Sequence, residues 1–300
     1  MASASTIAVL TRTKNRVPML ERARDSVLGQ THPRERITWA IVNDGGEPGP
    51  VDEVAEKARA QGLEVRVTHN PRSVGMARGM TLLLGMAPSD YYGVHDDDDS
   101  WEPEFLAKCA AWLDGRPDAG AVCTHVNYIT ERYRDGVITR LGQATFNDSL
   151  IAHQLSEMVR KNTSPPISLC FRRARVAEVG GYTDSLTALE DWDLLLRLLA
   201  RFDIGVIRER LANYHVRPES TDVNANTILA GWRLHAEWDA VIRNRHLRED
   251  LAAGRAGLGH LLALGYLTRG TEELHRFHIL HTRLRGKWYY RLFRRIFRGS

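Results

Sequence analysis

The sequence predicts an α/β protein with a mostly parallel central sheet flanked by helices, followed by a C-terminal helical extension. Three observations carry this. Short apolar runs alternate with helix-period segments through the first third of the chain. Turn residues such as Asp44-Gly45-Gly46 separate them, and from about Gly231 only helical patterns remain. In order, Ile7 to Leu10 reads as a strand, and Pro18 opens a helix with Leu20, Ala23, Val27 and Leu28 on one face. Ile37 to Val42 is a second strand, and a helix over Val51 to Ala60 ends near Gly62 in a C-terminal cap. Leu63 to Thr68 is a third strand, Gly75 to Leu84 a helix, and Tyr91 to Val94 a fourth strand. Further on, Ala121 to Val126 and Ile167 to Phe171 read as strands around a helical stretch at Asp148 to Arg160, and Glu190 to Ala200 is strongly helical. The expected division is a domain over 1–230, split near residue 120, and an extension over 231–300.

Composition removes several function classes. The chain has 300 residues, 43% hydrophobic and 26% charged, as expected of a globular protein. Cys109, Cys123 and Cys170 are scattered and form no CxxC pair, which argues against a disulfide framework or a thiolate zinc site and suits a reducing cytosol. The start shows no apolar run of signal-peptide length, and 257–267 is too short to span a bilayer. A cytoplasmic protein, at most peripheral at the inner face of the plasma membrane, is expected. The net charge of +4 sits in the tail: eight Lys or Arg and no acid from Arg276 onward leave −4 for residues 1–275. Nothing in the main body therefore suggests nucleic acid.

Chemistry concentrates after the strands, where parallel sheets bind ligands. Asp96-Asp97-Asp98-Asp99 follows the fourth strand directly. Four adjacent carboxylates repel one another, and Mg²⁺ or Mn²⁺ sharing its shell with substrate phosphates would resolve that repulsion. A solvated loop with Asp99 or Ser100 capping the helix near Pro103 explains one carboxylate of the four. Glu190-Asp191-Trp192-Asp193 opens another helix, where acids complement the helix dipole. Beside a phosphate-binding site, a carboxylate there also suits a general base for a hydroxyl nucleophile.

Taken together, the motifs resemble the inverting family 2 glycosyltransferases of GT-A fold, over about residues 5 to 220. The resemblance rests on Thr11-Arg12-Thr13-Lys14-Asn15-Arg16, Ser26 to Thr31, and Val42-Asn43-Asp44-Gly45-Gly46. Asn70 with Gly75, Ala77 and Arg78 follows, then Asp96 to Asp99 with Pro103, Gly180-Gly181-Tyr182, and Glu190-Asp191. It implies that Thr11 and Asp44 hold the nucleotide base and that Arg78 lies near base and diphosphate. Asp96 and Asp97 then take ribose and metal contacts, Asp98 is the principal ligand of Mn²⁺ or Mg²⁺, Asp191 is the catalytic base, and Glu190 orients site or acceptor. Gly79 stands where Asn is frequent in the family, and the order of His215 and Arg217 differs from its usual ending.

The implied reaction is inverting transfer from a UDP- or dTDP-sugar to a hydroxyl of a glycan, lipid-linked or small-molecule acceptor, in bacterial surface glycan or glycoconjugate synthesis. Two other readings stay open: a sugar nucleotidyltransferase, which should show a Gly-rich loop where Thr11-Arg12-Thr13-Lys14 stands, and a catalytically inactive sugar-nucleotide or glycan-binding module. His275, His278 and His281 have ligand spacing but no carboxylate or Cys among them. The basic, aromatic run 284–300 suits a peripheral membrane helix, or one packed on the body or on a second subunit of a homodimer.

Overall fold

The computed structural model of the protein describes residues 4–134, 136–220 and 232–268. The tail 284–300 and His275, His278 and His281 lie outside them.

Among the described residues, nine strands form one sheet in the order β3-β2-β1-β4-β8-β6-β9-β5, with β7 paired to β6. The strands β1 (Ile7–Thr13), β2 (Ile37–Asp44), β3 (Glu64–Asn70) and β4 (Tyr91–Val94) are mutually parallel. Their apolar residues divide by parity. Ile7 and Val9 enter one core with Trp39 and Ile41, while Ala8 and Leu10 enter the other with Ala40 and Val42. A strand buried on both faces needs this continuous apolar run, which is why β1 and β2 are legible without alternation. Helices α1 (Val17–Leu28), α2 (Pro48–Arg59) and α4 (Phe105–Asp114) supply the first core. Helices α3 (Met76–Met86) and α7 (Glu190–Leu199) supply the second.

Beyond β4 the sheet changes character. β8 (Leu169–Arg172) pairs antiparallel with β4 and with β6 (Ala121–Arg134), and β9 (Ile204–Val216) runs parallel to β6. β6 continues past the expected end into a hairpin with β7 (Val137–Thr145), a largely exposed edge strand. β5 (Ser100–Trp101) is a two-residue strand on β9, so the chain does not enter a helix straight after the aspartates.

The expected helix over 148–160 is largely absent: only α5 (Leu155–Met158) is helical there. Side chains explain the loss. Asn147 Oδ1 accepts from the Val126 N–H at 2.9 Å, Asp148 pairs with Arg210, and the Leu150 carbonyl faces His125 Nε2 at 2.9 Å. The segment spends its polar groups on β6 and β9 rather than on its own turns. The short α6 (Arg173–Glu178) follows β8, and the extension is helical over Trp232–Ala253 and 258–268.

Candidate active site

In the order β3-β2-β1-β4 the strand sequence reverses between β1 and β4, and the crevice beyond their carboxyl ends is where such sheets take ligands. Arg12 and Arg16 leave β1 there, and Asp96–Asp99 leave β4. The His95 N–H bonds the Leu10 carbonyl at 2.9 Å, tying the two ends together.

The aspartates are neutralised mainly by arginines. Arg12 reaches Asp96 at 3.4 Å, and Arg16 contacts Asp97 at 2.5 Å and Asp98 at 3.3 Å. Arg217, with its side chain fully buried, pairs with both Asp98 Oδ2 and Glu131, the latter at 2.6 Å. Arg22 pairs with Glu131 at 2.9 Å and donates to the Asp98 carbonyl. Against the upward push of burial, Arg16 and Arg217 hold the Asp98 carboxyl below its usual range. Burial lifts Asp97 to about 6 despite Arg16, and burial reinforced by Asp98 pushes Asp99 well up. Asp99 is a structural acceptor: it takes the His215 N–H at 2.8 Å and so anchors β9. The strand–loop junction therefore does have uses for several of these carboxylates, contrary to what the bare run suggested.

Fitness for a divalent cation follows from the donor set. Among the described residues, no three or more His, Cys, Asp or Glu side chains are arranged to enclose a metal. Asp96 and Asp98 still present hard oxygen donors, and Mg²⁺ is ordinarily held by one or two carboxylates plus phosphate oxygens. The residues thus fit a cation that shares its shell with a diphosphate, in competition with Arg16 and Arg217 at Asp98.

The second acidic run faces the same cleft. Arg12 also reaches Glu190 at 3.3 Å, so a single guanidinium spans Asp96 and the first residue of α7. Leu189, just before that helix, has φ +60° and offers no side-chain cap. A β-carbon in the left-handed region is strained, and such strain gathers at functional sites. Asp191 accepts from Asn162 Nδ2 at 2.8 Å. Burial, then the charge of Glu190, raises its carboxyl to about 7. A carboxylate poised there can take a proton at neutral pH.

The remaining expected residues divide. Asp44 accepts from Asn70 Nδ2 (2.8 Å), Ser73 Oγ (2.6 Å), and the Val74 and Gly75 N–H groups (2.8 and 3.3 Å). These bonds depress its carboxyl against partial burial and order the loop entering α3. Gly45, at φ +83°, lets that loop approach: a Cβ there would lie 2.7 Å from the Ser73 nitrogen. Arg78, at the start of α3, is exposed and has no ion-pair partner among the described residues. Thr11 requires correction. It is fully buried and its hydroxyl accepts from Trp39 Nε1 at 2.9 Å, so that side chain holds β1 to β2 rather than a base.

Residues 8–174 match the family described as Glycosyl transferase family 2, more than half the chain. The chain belongs to that family. A second description, Glycosyl transferase family group 2, matches residues 93–286 of this family 2 chain. Among solved structures, S. aureus TarS 1-349 in complex with UDP-GlcNAc superposes with TM-score 0.66 at 16% identity, covering 88% of this chain and 72% of that one. Mannosyltransferase PcManGT from Pyrobaculum calidifontis, in complex with GDP-Man and Mn²⁺, gives TM-score 0.59 at 17% identity, covering 90% and 74%. At these identities the likeness establishes the fold, GT-A. A search of curated proteins found no match.

Sequence reasoning named Asp191 and Asp98 but missed Arg12, Arg16, Arg217, Glu131 and Asn162. Arg12 and Arg16 stand inside the first motif, and Arg217 in the ending whose order of His and Arg departs from the family's. Gly79, the other departure, also has a reason: a Cβ there would meet the Arg12 Cδ at 3.2 Å, so the missing side chain leaves the bridging arginine its room.

Proposed function

We propose that this family 2 chain is an inverting glycosyltransferase using a UDP- or dTDP-sugar with Mn²⁺ or Mg²⁺, and that Asp191 is its general base. The observation that carries the reading is the Arg12 bridge, which puts the α7 carboxylates and the aspartates after β4 around one cleft. Arg78 and Asp44 flank the nucleotide on the β2–α3 side, while Asp96 lines its ribose and diphosphate side, with the fully buried Asp97 behind it acting through Arg16. Bound at Asp98, a divalent cation would offset charge on the diphosphate leaving group. Asp191 takes the proton of an acceptor hydroxyl as its oxygen bonds to the anomeric carbon. The bond from that carbon to the diphosphate oxygen breaks on the opposite face, and the nucleoside diphosphate leaves with the electron pair. Glu190, held by Arg12, keeps Asp191 protonatable near neutrality and orients the acceptor.

The acceptor is a hydroxyl of a glycan, lipid or small molecule, with synthesis of bacterial surface glycans or glycoconjugates as the setting. Residues 1–230 form the transferase unit and 231–300 the extension. No helix among the described residues is long and apolar enough to cross a membrane. The tail's basic residues would hold the protein at the cytoplasmic membrane face, each contributing on the order of 1 kcal/mol, or join two subunits. Thermal shift with a panel of nucleotide sugars and Mn²⁺, followed by slow release of nucleotide without acceptor, tests the donor class. A chain that binds donors but never hydrolyses or transfers them would be a binding module instead.

A further inference from the structure

The first turn of α7 is held residue by residue, each by a different part of the molecule. Glu190 meets Arg12 of β1, and Asp191 meets Asn162 of the loop before β8. The next two residues turn away from the cleft and meet the extension. Trp192 is 2% exposed, and its Nε1–H donates to the Met158 carbonyl at 2.8 Å. The Arg243 guanidinium lies 5.0 Å from its ring centroid. Arg243 is itself fixed, donating to the carbonyls of Val159 (2.9 Å) and Leu262 (2.8 Å) and pairing with Asp239 at 2.8 Å.

Asp193 is fully buried. Its carboxylate accepts from Thr183 Oγ1 at 2.9 Å, from Arg197 Nε at 3.1 Å and from Arg197 Nη2 at 2.9 Å. From the extension, His246 Nε2 lies 3.1 Å from Asp193 Oδ1, and Arg245 donates to the same oxygen. Against burial, these partners hold Asp193 well below the usual carboxylate range. The helix Trp232–Ala253 thus spends Arg243, Arg245 and His246 on the two residues that follow Asp191. The extension also docks through apolar Ile242 and Leu262, but its buried charge pairs cost desolvation and fix geometry. A helical turn transmits that geometry, since its residues rise by about 1.5 Å each along a hydrogen-bonded ladder.

We propose that Arg243, Arg245 and His246 are positioning residues for Asp191, acting through Trp192 and Asp193, so that the C-terminal extension is part of the catalytic unit. This rests on the reading of Asp191 as base. The reach required is small: a displacement of about 1 Å at a reacting group can cost roughly a hundredfold in rate. Loosening the turn also admits more water to the half-buried Asp191, and because burial is the main cause of its raised pKa, that pKa falls.

The test uses the full chain with Arg243→Met and Arg245→Met, which keep the alkyl stem. Each should lower kcat by roughly ten- to a hundredfold with the donor KM unchanged. The acidic limb of the kcat profile should move below about 7. Arg245→Lys restores charge without the planar fork and should rescue only in part. A merely structural helix would lower the melting temperature while kcat and the pH limb stay at wild-type values below the transition, and that result overturns the proposal. If Arg245→Met does not fold, Asp193→Asn, nearly isosteric and still buried among its donors, reads out the same two quantities. Asp191→Asn run alongside separates the failures. Retained turnover there removes the base assignment, whereas lost turnover with normal Arg243→Met and Arg245→Met removes only the role of the extension.

Discussion

Asp98 and Asp191, one from each acidic run joined by the Arg12 bridge, are neutralised differently. In the first, guanidinium groups of Arg12, Arg16 and Arg217 meet Asp96, Asp97 and Asp98, and the Asp98 carboxyl is held low. In the second, Arg12 stops at Glu190, Asp191 has the neutral amide of Asn162 as its side-chain hydrogen-bond partner among the described residues, and burial with the charge of Glu190 raises its carboxyl to about 7. The same residue type is thereby shifted in opposite directions. A carboxylate that stays ionised suits cations and phosphate-bound metal, and one that titrates near neutrality suits proton transfer. Between Asp98 and Asp191 the difference comes from where the arginines stand, whereas Asp97, although paired with Arg16, is still lifted by burial.

The largest break of this contrast is Asp98→Ala. Transfer should fall below detection, and Mn²⁺ should no longer strengthen nucleotide binding in calorimetry. Metal dependence unchanged in the variant would remove Asp98 from the site. Stability should fall too, because the buried Arg217 guanidinium loses a partner. Breaking a buried pair costs about 3–5 kcal/mol, and Arg217 keeps Glu131 at 2.6 Å, so the loss should lie toward the lower end.

Next in size is Asp191→Asn. Asn can still meet Asn162 but cannot accept a proton, so kcat should drop by about 10²–10⁴-fold while donor affinity holds. The stability sign is opposite to that of Asp98. A carboxyl whose pKa rises on folding favours the fold below its unfolded value, and that benefit is lost as pH rises through about 7. At pH above 8 the Asn variant, spared a half-buried charge, should therefore melt no lower than the parent. In the parent, activity should fall as pH drops through about 7, because the base becomes protonated. Turnover within a few-fold of the parent would exclude Asp191 as base.

How much of this was legible varies along the chain. The parallel strands were readable because burial on both faces writes an unbroken apolar run, as in Ile7 to Leu10 and Ile37 to Val42. β6 was seen only to Val126, because beyond it polar residues such as Asn127, Thr130 and Arg132 serve a hairpin edge. β9 was missed for a similar reason: its register against β6 breaks twice, skipping Arg208 and Glu209 and then Leu211 on either side of the paired Arg210. Within the site, acids in runs stand out in a sequence. Their partners come from residues 12, 16, 162 and 217, and only folding brings those together. Thr11 misled because its motif position carries over while its hydroxyl has gone to Trp39.

The smallest predicted effect, and the finest probe of the comparison, is Gly79→Ala. Gly79 lies inside α3 with ordinary helical geometry, so Ala should stabilise the helix by roughly 0.5–1 kcal/mol. The new methyl, however, would sit 3.2 Å from the Arg12 Cδ and press the arginine away from its present path. Arg12 bridges Asp96 and Glu190 at 3.4 and 3.3 Å, distances with little to spare. Its positive charge is also among the influences that lower the Asp191 pKa. Displacing it should raise that pKa, so the acidic limb moves to higher pH and kcat at neutral pH falls a few-fold. This is the direction opposite to that expected for Arg243→Met, where admitted water lowers the limb. The two variants thus separate charge from burial as causes of the same titration. A Gly79→Ala protein that gained stability and kept the parent's pH profile would show that Arg12 accommodates the methyl and that its bridge does not tune the base.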